Sequence, residues 1–195
     1  IPPLATAGLR HLCAGAILLL WARVSRARIT ATEWRASVVV AALFFLIGHG
    51  TLHRAEQIVP SGVAALLVAT EPLWIAMLMP SRAGSRWSVR TIGGLTAGLA
   101  GVAVLVPPEA FTAGSGQLWG ASGILIGTMS WALGVRYSAT APLPRDPFVR
   151  ASTTLLCGAA LLLTASAVSG ELTRVDLHAV SGRSLLGLAY LIGCG

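Results

Sequence analysis

Long apolar runs alternate with short polar links along this chain. Apolar blocks occupy residues 3–24, 35–56, 61–80, 88–106, 116–137 and 147–168, and a seventh starts at Ser184 and reaches Gly195. A hydrocarbon layer of about 30 Å needs roughly 20 residues of helix, a length the first six blocks meet and the seventh does not. The blocks are rich in Ala, Leu and Gly and show no period-two alternation. Lipid cannot satisfy bare backbone groups, so such runs predict membrane helices and not barrel strands. Proline marks their ends. Pro2-Pro3 opens the first block, Pro60-Ser61 the third with Ser61 as a candidate N-cap, Pro107-Pro108 closes the fourth, and Pro144 to Pro147 precede the sixth.

The pattern also repeats itself 144 positions later. Pro3 pairs with Pro147, Ala7 with Ala151, Leu12-Cys13 with Leu156-Cys157, Ala16 with Ala160, Leu18-Leu19 with Leu162-Leu163, and Val24-Ser25 with Val168-Ser169. After a slip of one residue, Leu46-Ile47-Gly48-His49-Gly50 returns as Leu191-Ile192-Gly193-Cys194-Gly195. Five apolar blocks separate equivalent points. An odd number of crossings turns the second copy upside down, which is the inverted-repeat layout of secondary transporters, with a working site between the halves near mid-membrane. The expected fold is therefore all-α and polytopic, an inverted repeat of five-helix units truncated at both ends. Residues 1–110 form a first repeat lacking its first helix, and residues 116–195 a second repeat cut within its third.

Composition agrees: 55% of residues are hydrophobic and 11% charged, with a mean hydropathy of +0.77, too apolar for a soluble domain. No signal peptide is recognisable. The net charge of +7 could suggest nucleic acid, but its distribution argues for topology. Arg23, Arg26, Arg28 and Arg35 follow the first block, Arg82, Arg86 and Arg90 the third, and Arg136, Arg145 and Arg150 the fifth; the alternate links carry Arg54, then none, then Arg174 and Arg183 beside Glu171 and Asp176. The bias places the Arg-rich links in the cytoplasm. Cys13, Cys157 and Cys194 have no CxxC spacing and read as small core residues.

Trp21, Trp34, Trp87 and Trp119 fall near block ends, where indole prefers the headgroup level. Trp74 and Trp131 lie about 20 Å in from the outer ends. Gly94, Gly98 and Gly101 form a seam in the fourth block, and Gly116, Gly120, Gly123 and Gly127 one in the fifth that leads to Trp131. Such seams allow close helix packing, or let a helix slide during a cycle.

Glu71 is the one acid deep within a block, about 15 Å from its outer end. A charge there costs on the order of 3 kcal/mol and usually faces a cavity or a partner. Pro72 removes the amide that would bond the Val68 carbonyl and predicts a kink. The carboxyl could bind substrate, exchange a proton, or be a satisfied structural group. Hairpin geometry puts His49 level with Thr70 and Glu71, within reach of a His49–Glu71 hydrogen bond, and Trp74 one turn further along the Glu71 face. His49, His53 and Glu56 share a helix face at metal-like spacing, but no other His cluster is present, so no metal is expected. Arg10 with His11, about 10 Å into the first block, suits a structural or gating role. Nothing resembles a nucleophile–base triad, a phosphate loop or paired catalytic carboxylates.

The stretches 2–15 (PPLATAGLRHLCAG), 55–77 (AEQIVPSGVAALLVATEPLWIAM) and 93–105 (GGLTAGLAGVAVL) resemble the EamA-type drug/metabolite transporter family. The resemblance covers essentially the whole chain and is most specific in the third helix. It implies ten helices in two inverted repeats around a central cavity. This chain would hold helices two to seven and part of eight, with Glu71, Trp74 and His49 on cavity helices and Arg10 matching an Arg common in the second helix. Where the family often has Gly-Glu before its fifth helix, this chain reads Gly84-Ser85. The function expected is transport of small organic metabolites or drugs across a bacterial cytoplasmic membrane by alternating access, without cofactor. Glu71, Trp74, Thr70, His49 and Trp131 are the candidate substrate-binding residues. The partners implied are a small solute and the lipid bilayer, with a homodimer as an option and no nucleic acid. A membrane-embedded enzyme and a non-transporting structural fragment are the alternatives.

Overall fold

The fold is known from a computed structural model that describes residues 2–22, 29–78, 88–105, 115–171 and 182–193. Arg23, Arg26, Arg28, Arg82, Arg86, Trp87, the Gly84-Ser85 pair, Pro107-Pro108, Arg174, Asp176 and Cys194 lie outside the described residues. The elements are α1 (Pro3–Ala22), α2 (Ala31–Ala41), a π-helical segment (Ala42–His49), α3 (Gly50–Ala55), α4 (Ser61–Val68), α5 (Glu71–Leu78), α6 (Val89–Leu105), α7 (Ser115–Ser138), α8 (Pro147–Val168) and α9 (Gly182–Gly193). No strand occurs among the described residues. Among the described residues five runs are long and apolar enough to cross a membrane, Pro3–Trp21, Ala31–Ala55, Ser61–Leu78, Gly116–Ser138 and Pro147–Val168; the fourth block, α6, has 17 described helical residues and is not one of them. The chain is an all-α polytopic membrane protein.

Local chemistry shifts two boundaries. The second block starts four residues earlier than its apolar run, because Thr30 and Glu33 form a capping box: the Glu33 carboxylate accepts from the Thr30 amide at 2.7 Å and Thr30 Oγ1 accepts from the Glu33 amide at 3.3 Å. In the third block Pro60, not Ser61, is the N-cap, and no side chain caps that end. Asp146 caps α8, its carboxylate accepting from the amides of Phe148 and Val149 at 2.8 and 3.1 Å ahead of Pro147.

The helices gather into two compact units, Ile1–Leu46 with Thr140–Gly195, and Ile47–Ala139. In the first, α1 lies against α8, α2 against α8 and α9 against α1. A Cβ on Gly8 would stand 2.8 Å from Leu163 Cγ, and one on Gly15 3.0 Å from Leu156 Cγ. While α1 advances from Gly8 to Gly15, its partners on α8 fall back from Leu163 to Leu156, so the helices are antiparallel. At the outset of α1, the Leu4 amide donates to Glu171, just past the end of α8, at 3.1 Å. The stretches beginning at Pro3 and Pro147 thus run in opposite directions. The second pair of equivalents behaves alike, since α2 packs on α8 and its counterpart α9 packs on α1.

Leu4, Ala7, Ala41, Phe45, Cys157 and Leu162 form the core of this unit. Gly158 leaves room for the Phe45 ring, which a Cβ would strike. Ser37 Oγ donates to Thr153 Oγ1 at 3.0 Å between α2 and α8, and Thr153 Oγ1 donates to the Arg150 carbonyl at 3.0 Å. These buried hydroxyls satisfy one another, as burial demands. Cys157 belongs to the core and Cys13 is half-buried, both as free thiols.

The second unit is built around α7, which touches α3, α4 and α5, while α6 packs on α4. Its core is Ala55, Val59, Ala64 and Ile124. Only part of the α7 glycine seam is used. A Cβ on Gly120 would strike Val59, and one on Gly127 would meet Thr51 Oγ1 at 2.5 Å, whereas Gly116 and Gly123 have no described atom within 4 Å of that position. On α6, Gly94, Gly98 and Gly101 likewise face no described neighbour. Trp119 at the start of α7 is 79% exposed, suited to the headgroup level.

Candidate functional site

The site begins with a broken helix. Because Pro72 has no amide to bond Val68, α4 stops at Val68 and α5 starts at Glu71, with a turn at Ala69 and Thr70 between them. The turn tightens through the Thr70 amide to the Leu67 carbonyl at 3.1 Å, and Thr70 Oγ1 donates to the same carbonyl at 2.6 Å. Glu71 becomes the first residue of α5, where the helix dipole favours an acidic side chain. At the far end of α5, Arg136 of α7 donates through Nη1 to the Leu78 carbonyl at 2.6 Å, tying one end of the half-helix to α7 through an orphan carbonyl.

Two further elements face the break. The π-helical winding of 42–49 ends in Gly48 and His49; windings of this kind are rare and concentrate at functional sites. On α7, Ile124, Gly127, Thr128 and Trp131 recur at the spacing of one helix face. Together with Leu52, Val68 and Glu71 these residues line an open cavity of about 190 Å³. The rings of His49 and Trp131 stand 5.1 Å apart at 37°. Thr128 Oγ1 donates to the Leu125 carbonyl at 2.9 Å, so its oxygen is left to accept.

Of the five substrate-binding candidates, the structure brings His49, Glu71 and Trp131 to one cavity. Thr70 and Trp74 do not line it: the Trp74 indole donates through Nε1 to Thr70 Oγ1 at 3.2 Å and the pair braces the helix break. His49 and Glu71 share the wall, but no hydrogen bond joins them; among the described residues the Glu71 carboxyl has neither a hydrogen bond nor an ion pair. Hairpin geometry gave their level, while the rotation of each helix decided that His49 turns its ring to Trp131. Arg10 belongs to the other unit, half-buried on α1 beside the buried His11, whose ring lies 4.4 Å from that of Phe45. His53 pairs with Glu56 at 3.7 Å, and no cluster of three metal-ligating side chains occurs among the described residues.

Gly48, Leu52, Ile124, Gly127 and Thr128 were not singled out as site residues in the sequence. The usable signal was helical spacing: Leu52 follows His49 by three, and Thr128, Gly127 and Ile124 precede Trp131 by three, four and seven.

Comparison with known proteins places this geometry in context. Residues 1–106 match the EamA-like transporter family. The chain is 34% identical over 194 residues to the uncharacterized inner membrane transporter YedA of Escherichia coli K12, covering 98% of the chain and 61% of that protein. It is 26% identical over 168 residues to the uncharacterized transporter YoaV of Bacillus subtilis (85% of the chain, 58% of that protein). With YvbV of the same organism it shares 26% over 196 residues (98% and 62%). It therefore spans about three fifths of the length of these curated relatives. No solved structure gives a significant match. With the family matched over more than half its length, and membrane helices running through it, the chain belongs to the EamA-like transporter family.

Proposed function

We propose that the complete protein is a transporter that moves a small organic solute across a bacterial inner membrane by alternating access, using the cavity at the α4–α5 break as part of its solute path. The observation that carries this reading is the placement of Glu71, His49 and Trp131 around one cavity at the interruption of a membrane helix. Interrupted helices with polar groups at their broken ends are the usual way secondary transporters build a site within the bilayer. Family membership and relatives named as transporters support it. Glu71, His49 and Trp131 contact solute in this reading; Thr70 and Trp74 keep the break in shape, and Arg10 is a structural or gating group. The antiparallel α1 and α8 support two five-helix copies, one flipped. The protein is then not an enzyme, and its Arg-rich links face the cytoplasm.

The complete reading frame in proteoliposomes, assayed for counterflow with a panel of labelled metabolites, tests the proposal. A flux that Glu71→Gln and Trp131→Leu each reduce at least tenfold, with the protein still monodisperse, is expected. A flux indifferent to both variants would remove the cavity from the path.

A further inference from the structure

We propose that the cavity takes a small organic ammonium, a protonated amine whose charge is met by Glu71 and whose body lies against Trp131. This rests on reading the cavity as a solute site. The walls favour a donor and a cation. Among the described residues that line the cavity, Glu71 is the only acid and there is no Arg or Lys. The Thr128 hydroxyl has committed its proton to the Leu125 carbonyl and can only accept from an occupant. Trp131 brings an indole to the wall, a ring whose π face attracts positive charge.

The remaining wall is apolar, supplied by Leu52, Val68 and Ile124. A carboxylate in such surroundings is costly unless a counter-charge meets it, and among the described residues Glu71 has none. On the packed elements His53 pairs with Glu56 and Arg136 donates to the Leu78 carbonyl, Arg54 lines a separate pocket and Tyr137 does not line the cavity; among the described residues of the wall His49 is the one other titratable group. An anion would add repulsion with Glu71, and a neutral apolar solute would leave the carboxylate unmatched.

The test uses the full-length protein in lipid nanodiscs and three probes of one shape and different charge: phenethylamine, 2-phenylethanol and phenylacetate, titrated by calorimetry. Wild type should bind phenethylamine at least tenfold tighter than either analogue. Glu71→Gln should shrink that preference to about twofold or less while the protein stays monodisperse. If Glu71→Gln does not fold, Trp131→Leu, which keeps the carboxylate, should weaken phenethylamine about tenfold, in line with a lost cation–π contact and its packing. Absence of phenethylamine binding, equal binding of either analogue, or a preference that survives Glu71→Gln overturns the proposal. If an analogue wins and Trp131→Leu weakens it, the cavity is a solute site of another charge class. If no probe responds to either variant, the solute-site reading falls as well.

Discussion

At the scale of single residues, glycine separates positions that must stay small from positions that merely are. A Cβ on Gly127 would press on Thr51 and the Gly48 backbone beside the cavity, and one on Gly158 on the Phe45 ring. Gly127→Ala and Gly158→Ala should each destabilise by about 1–3 kcal/mol, the cost of overpacking. Gly98→Ala meets no described atom and should be neutral or stabilise by up to about 1 kcal/mol through helix propensity. Thermal unfolding of the full-length variants in one detergent would compare the three. The seam itself was legible in the sequence. Which of its glycines touch a neighbour was not, because spacing records a stripe on one helix and says nothing of where the partner crosses it.

At the scale of elements, the interruption of the third membrane helix follows from one residue. Pro72→Ala would restore the amide that Val68 lacks and let α4 run on into α5, turning Glu71 away from His49 and Trp131. The expected outcome is a protein at least as stable to heat as wild type whose solute flux falls at least tenfold; an unchanged flux would show that the break is not needed. Thr30→Ala removes a capping box outside the site and should cost about 1 kcal/mol in the same melt with transport intact. Proline made the break readable from sequence. The π-helical winding of 42–49 was not, because the same apolar run can bond one residue further along its backbone without altering any pattern of hydrophobic positions.

Across the whole molecule the sequence repeat and the compact units divide the chain differently. The matching stretches of the sequence are each contiguous, yet the first unit joins Ile1–Leu46 to Thr140–Gly195 and so contains helices from both. Packing of α1 on α8 is the contact between equivalents, and its direction is testable. In a background without the native cysteines, Gly15→Cys with Leu155→Cys should form a disulfide under mild oxidation, since the Cβ positions lie 3.2 Å apart. Gly15→Cys with Leu163→Cys should not, because Leu163 lies beside Gly8, about two turns away; the reverse result would overturn this antiparallel register. For topology, Gln57→Cys between α3 and α4 should react with an impermeant maleimide from outside the cell and Arg145→Cys, in an Arg-rich link, should not.

The membrane class, the helical blocks and the break at Glu71 were determined by the sequence alone, because each depends on the order of residues along one chain: length, hydropathy and a missing amide. Tertiary structure decided which polar side chains meet. His49, Glu71 and Trp131 were all visible as deep polar or aromatic residues, but only helix rotation and crossing turned them to one cavity and left Trp74 braced on Thr70. Those rotations follow from packing between segments far apart in the chain, a cooperative choice that no local window of residues encodes.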